Sequence, residues 1–218
     1  GASSFKIEGR LKDVSYVKNV TAAYRQKLDA IFTRRSEFKR ASSGTSHLEF
    51  HPQLDKSFSR GFTNYFLHGR EQDIASFDTP KSLGEEMGTM KEIRGNYLVV
   101  AGVKPFNNGD GICFLDEQGR LQGFRVNRVD GNKLYPQEMP HIKPRTKLYR
   151  NYDQEFERLL ARRSAERKIK VSWLLYDHPS GFSLEIADED NNRVTLSLPR
   201  QKELARTPQV ENLKTQLS

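Results

Sequence analysis

The sequence predicts an α+β chain centred on a small β-barrel. Three observations carry that reading. Residues 14–31 place Val14, Val17, Val20, Tyr24, Leu28 and Ile31 at helical spacing. Residues 83–150 hold five or six short strand-like runs separated by turn signals, the pattern of a small closed barrel. Residues 168–199 hold a second, separate set of strand-like runs around the turn DEDNN.

Taken in order, SFKIE (4–8) alternates Phe5 and Ile7 with polar neighbours, as a short strand would. Gly9 allows a turn, and Asp13 is a fitting N-cap for the helix that follows. Its apolar stripe is expected to face a core. A β–α unit of this kind cannot bury its strand alone and needs neighbouring strands. None precedes it here, so the chain is expected to be cut at its N-terminus.

Residues 36–46 read as a basic, Ser-rich linker. SHLEFHP looks like a strand entering a Pro stop, and SFSRGFTNYFLHGRE is rich in aromatics. From residue 83, GTMKEIRGNYLVVAGV reads as two strands joined at Arg94-Gly95-Asn96. NNGDG (107–111) is a strong turn, and ICFLDEQGRLQGFRVNRVDGNKLYP supplies three more strands. PRTKLYR (144–150) is expected to close the barrel. Asp153 then caps a helix to about Arg163, at least three strands follow, and Thr207-Pro208 opens a last helix that stops without a cap. The expected division is 1–35, 36–82, 83–150 and 151–218, the last truncated at its end.

The formal net charge is +8. Residues 10–40 hold nine Lys/Arg against three Asp/Glu, and residues 143–170 hold ten against four. Two basic blocks in an otherwise acidic chain point to a polyanionic partner, RNA or DNA ahead of membrane lipid; two solvated helix faces are the plainer alternative. The single cysteine, Cys113, lies in the apolar run GICFL. It allows no disulfide within the chain, and no structural zinc or iron–sulfur site can be assembled from it. No stretch approaches a membrane span, and no secretory leader pattern opens the chain, so a reducing cytoplasm is expected.

His47, Glu49 and His51 would share one face of a strand, as a two-His-one-carboxylate metal set needs, but ligands adjacent on one strand splay apart. A half-exposed strand edge is the better reading, and no metal is expected. Asp188–Asn192 starts like a calcium loop, yet Arg193 and Pro199 stand where that loop needs Gly and Glu, so a hairpin turn is preferred. Neither a G-x-S-x-G elbow nor a P-loop is present. FSRGF, GFRVNR and LYRNY each set an Arg beside a ring, which suits phosphate clamping and base stacking as well as ordinary surface packing. Arg60, Arg125, Arg128 and Arg150 are the candidates in these runs, with Lys6 and Lys12 beside them.

FKIEGRLKD followed by Tyr16-Val17 and Ala23-Tyr24-Arg25 resembles a motif of peptidase family U32, the collagenase-like proteases. Arg60-Gly61-Phe62-Thr63 matches a second segment, and NGDGICF, GFRVNRV, LYRN and SAERKI resemble parts of its large bacterial members. IEGR on its own could be a tag-removal scar. Because the match runs on through both sides of it, the stretch reads as native.

The resemblance implies the C-terminal portion of such a protein. Residues 1–35 would be the last strand and helix of a catalytic β/α-barrel, and residues 83–150 a barrel like that shared with translation factors. It also implies a parent from a family first called proteases, with relatives that hydroxylate RNA, some with an iron–sulfur cluster on cysteines upstream of KIEGR. This fragment alone would be inactive and hold no cofactor. Glu8 and Arg10 would face the parent's active site, Glu8 to orient or accept a proton and Arg10 to hold a phosphate or carboxylate. The expected function is an accessory part binding ribosomal or transfer RNA. The competing readings are part of a genuine peptidase and a purely structural domain.

Overall fold

The structure is a computed structural model that describes residues 4–59, 62–64, 66–70, 72, 81–201, 203 and 206–217. The chain divides into two compact units, residues 1–39 with 47–166 and residues 40–46 with 167–218.

The first unit is centred on a closed antiparallel barrel. Its strands are β2 (Glu85–Arg94), β3 (Tyr97–Ala101), β4 (Gly111–Leu115), β5 (Leu121–Asp130), β6 (Lys133–Pro136) and β7 (Lys147–Tyr152). They close in the order β2-β3-β6-β5-β4-β7. Short turns set the register of neighbours: Gly131, at φ 58°, supplies the left-handed conformation that the two-residue β5–β6 turn demands. Met87, Met90, Leu98, Val100, Ile112, Phe114, Val126, Leu134 and Leu148 fill the interior.

A charged side chain enters that interior. Arg150 lies two residues beyond Leu148 on β7, on the same inward register, and is 5% exposed. Its Nη2 donates to Glu85 Oε2 at 2.6 Å, and its Nη1 donates to Asp110 Oδ2 at 3.2 Å and to the Pro105 carbonyl at 3.1 Å. Asp153 Oδ2 lies 3.2 Å from Nη2. Lys104 and Lys56 complete the balance from outside, paired with Glu85 and Asp153. Three carboxylates thus face three cations.

Burial alone raises the carboxyl pKa of Glu85, but hydrogen bonds and charge from Arg150 and Lys104 outweigh it and hold the group below its ordinary value. Burial likewise opposes ionisation of Asp153. Lys56, the Phe156 N–H and the charge of Arg150 reverse the effect there. A depressed folded pKa contributes stability that is complete above the unfolded value and is lost as pH falls through the folded one. The unfolding free energy should therefore decline as pH drops below about 4.5, the ordinary Glu85 value. Urea melts at a series of pH values check this: the acid slope should be shallower in Glu85→Gln than in the parent chain.

Two helices flank the barrel. The first, α1 (Val14–Arg34), is capped as expected, the Asp13 carboxylate accepting from the Tyr16 N–H at 2.7 Å. The second, α2 (Gln154–Ala161), is capped by Asp153. Phe156 and Leu160 of α2 pack with Ala22 and Phe50, which groups α2 with the barrel unit rather than with the residues after it.

The face that α1 buries is not the expected one. Val14, Val17, Tyr24, Leu28 and Ile31 remain exposed. Asn19 and Ala22, on the opposite side of the helix, are buried. The reason is a set of polar anchors. Asn19 donates to the Gln53 carbonyl at 2.6 Å and to Ser57 Oγ at 2.7 Å, and accepts from the Gln53 N–H at 2.8 Å. Lys18 Nζ donates to the carbonyls of Leu160 and Arg162 at the end of α2. A fully bonded buried amide fixes the helix rotation because any other rotation leaves its partners unpaired. Asn19→Leu is expected to cost about 1–3 kcal/mol, the worth of stranding those groups. Hydrogen exchange should show α1 opening before the barrel.

The strand expected at residues 4–8 is absent. No strand among the described residues pairs with it, and an unpaired strand leaves its backbone groups unsatisfied. The segment instead lies along α1: the Phe5 and Tyr24 rings are 6.2 Å apart, and a Cβ on Gly9 would sit 2.8 Å from Val17 Cγ2.

Two short strands, β1 (Thr45–Leu48) and β8 (Ala165–Lys168), pair with each other. The second unit is a three-stranded antiparallel sheet, β9 (Val171–His178), β10 (Gly181–Asp188) and β11 (Arg193–Pro199), followed by α3 (Val210–Leu217). DEDNN closes the β10–β11 hairpin as expected. Asn191 adopts φ 64°, and the Asp188 carboxylate accepts from the N–H groups of Asp190 and Asn192 at 2.9 Å each.

Candidate nucleic-acid interface

Strand β5 carries the candidate site. A regular strand would send residues 125 and 128 to opposite faces, because they are three apart. Here the β5–β6 register slips between Val126 and Arg128: Val126 pairs with Pro136 and Arg128 with Tyr135. Asn127 is the extra residue of a β-bulge. Val126 is buried and Val129 packs on the core, while Arg125, Asn127 and Arg128 are all exposed. The bulge thereby turns both arginines outward. Asn108 holds it, its Oδ1 accepting from the Val129 N–H at 2.8 Å.

Each arginine meets a tyrosine. The Arg128 guanidinium carbon stands 4.0 Å from the centroid of the Tyr135 ring. The Tyr135 and Tyr97 rings are 5.3 Å apart, and Lys133 Nζ is 5.8 Å from the Tyr97 centroid. The Arg125 guanidinium lies 4.8 Å from the Tyr152 ring and donates to Gln154 Oε1 at 2.7 Å. That second pair spans three strands, because Gly111 of β4 is the register partner of both Arg125 and Tyr152. A Cβ at Gly111 would come within 2.9 Å of Tyr152 Cβ, so glycine is what lets the ring cross over β4. Among the described residues, neither arginine forms an ion pair with a carboxylate.

The other candidates are placed differently. Arg150 is corrected: it is a buried structural cation with three carboxylate partners, not a surface group. Lys12 stacks on Phe58 at 3.2 Å, and Lys6 pairs with Glu8 in solvent. Glu8 and Arg10 are both exposed. Arg60 lies outside the described residues. Strand β1 ends at Leu48, so Glu49 and His51 do not share its face with His47. No group of three His, Cys, Asp or Glu among the described residues is placed to hold a metal.

Cys113 is 1% exposed, and burial pushes its thiol pKa up to about 11. Its Sγ donates to the Leu83 carbonyl at 3.3 Å. An iron–sulfur cluster needs several thiolates, and this one buried, protonated thiol does not fit such a group.

An open cleft of about 780 Å³ lies beside β4 and the 140–147 loop. Its cations are matched by carboxylates: Arg120 with Asp116, Lys143 with Glu117 and Lys147 with Glu86. The β5 wall is the better place for an anion.

Sequence reading did not name Tyr97, Lys133 or Tyr135 as site residues. One signal was present. The two-residue turn Gly131-Asn132 sets Arg128 opposite Tyr135.

The barrel thus carries an exposed, basic, tyrosine-lined wall. Comparison with known proteins places its sequence. The model of peptidase family U32 matches residues 1–76, and this segment of the chain belongs to that family. The chain is 38% identical over 229 residues to the 23S rRNA 5-hydroxycytidine C2501 synthase of Escherichia coli (strain K12). That alignment takes in all of this chain and 35% of the relative, so the chain spans about a third of the relative's length. No solved structure matches. No helix among the described residues is long and apolar enough to cross a membrane.

Proposed function

We propose that the chain is an accessory, RNA-binding part of a U32-type protein that hydroxylates ribosomal RNA in the cytoplasm. The carrying observation is the pair of outward arginines, Arg125 and Arg128, each backed by a tyrosine on the barrel wall. Arginine over an aromatic ring keeps its donors free for phosphate while presenting a flat surface to bases. Similarity to an rRNA hydroxycytidine synthase supports RNA as the polyanion. The chemistry belongs to the complete protein. Glu8 and Arg10, exposed within the family-matched segment, are proposed to serve it there, as is any iron–sulfur cluster, whose ligands other parts of that protein would supply.

A salt-titrated binding assay against ribosomal RNA fragments tests the reading. Affinity should fall steeply with added salt, because phosphate contacts release counterions. No binding, or binding insensitive to salt, would leave the barrel with a structural role only.

A further inference from the structure

Resting on the RNA reading, we infer that the layer Tyr97–Tyr135–Arg128 receives an unpaired base, so that this wall selects single-stranded over duplex RNA. The three side chains lie on three adjacent strands, β3, β6 and β5, and form one continuous surface. Ring centroids are 5.3 Å apart, and the guanidinium stands 4.0 Å from the second ring. Tyr97 and Tyr135 flank the buried Leu98 and Leu134, which pair with each other, so both rings project from the outer wall. Tyr135 backs one side of the Arg128 guanidinium, and Arg128 is exposed. A guanidinium stacked on one side by a ring is a ready platform for a base on the other.

Lys133 stands at the far end of the layer, over Tyr97. Its salt bridge to Asp130 is 3.5 Å long and solvent-exposed, a pairing weak enough to yield to a phosphate. In a duplex the bases are stacked inside and offer no face to such a layer. Selection for unpaired RNA follows from the geometry, whereas the arginine charges alone would accept either form.

The test uses the 218-residue chain. The probes are an RNA of roughly 12 nucleotides bearing one 2-aminopurine, within the span that small barrels cover, and the same RNA annealed to its complement. The unpaired probe should bind more tightly, and its fluorescence should be quenched on binding. Tyr135→Ala should weaken that binding roughly 5- to 150-fold, the worth of one stacked base. Tyr135→Phe, which keeps the ring, should restore most of the binding that Tyr135→Ala loses, and the circular dichroism of Tyr135→Ala should match that of the parent chain. Binding of both forms that Tyr135→Ala leaves unchanged would overturn the inference while leaving the RNA reading intact. Failure of the parent chain to bind either probe would sink both.

Discussion

Replacing Arg150 with Met is expected to destabilise the barrel by about 3–5 kcal/mol, a large part of the stability of a domain this size. The substitution conserves length and apolar packing but removes one pole of a buried network. Glu85, Asp110 and Asp153, all buried, would lose the cation they share; Lys104 and Lys56 would still pair with Glu85 and Asp153, but Asp110 would keep no cation among the described residues. Two of them do other structural work. Asp110 accepts from the N–H groups of Asn107 and Gln154, and Asp153 caps α2, so losing that cation would loosen the 107–111 turn and the helix together.

Urea unfolding followed by circular dichroism is the measurement, with the midpoint falling and the denaturant slope unchanged. Arg150→Lys should recover only part of the loss. A lysine keeps the charge but cannot reach Glu85, Asp110 and the Pro105 carbonyl with a planar fork. A loss below about 1 kcal/mol in Arg150→Met would show that the network contributes little net stability.

The double variant Arg125→Ala/Arg128→Ala is expected to fold like the parent chain and to lose most of its RNA affinity. Both side chains are exposed, so their removal strands no buried charge. If both contact phosphate, the slope of log K against log salt on an unpaired RNA should become shallower by about 1.4, from 0.7 per contact. A variant that binds as the parent does, with the same slope, would move the interface elsewhere. The two predictions separate the two classes of arginine: Arg150 should alter unfolding, and the β5 pair should alter binding.

The hairpins of the barrel were legible because each is decided within a few residues. RGN and VDGN supply the turn conformations there, as DEDNN does for the β10–β11 hairpin of the second unit, and the residues next to each turn pair in the register it sets. Both helix N-caps were legible for the same reason, since Asp13 and Asp153 act on N–H groups three residues on. The candidate site was half legible. GFRVNR showed arginine beside aromatic residues, but the strand alternation it implied would have hidden one arginine inside. LYRNY looked like the same pattern and is its opposite, because Arg150 continues the inward register of Leu148.

By itself, then, the sequence determined the order of the barrel strands' turns, the starts of α1 and α2, and the family of the first 76 residues. Contacts between residues near in the chain settle the turns and the helix starts, and the order of residues along the chain settles the family. The tertiary structure decided the rest. It turned α1 onto Asn19 and Ala22 rather than its apolar stripe, because Gln53 and Ser57 supply bonds that only Asn19 can complete. It drew Arg150 inside, because Glu85 and Asp110 arrive from strands and turns 65 and 40 residues away. It brought Arg125 and Arg128 to one wall through a bulge secured by Asn108, 21 residues from the N–H it binds. In each case a distant polar partner decided which face was buried, and no local pattern contains that partner.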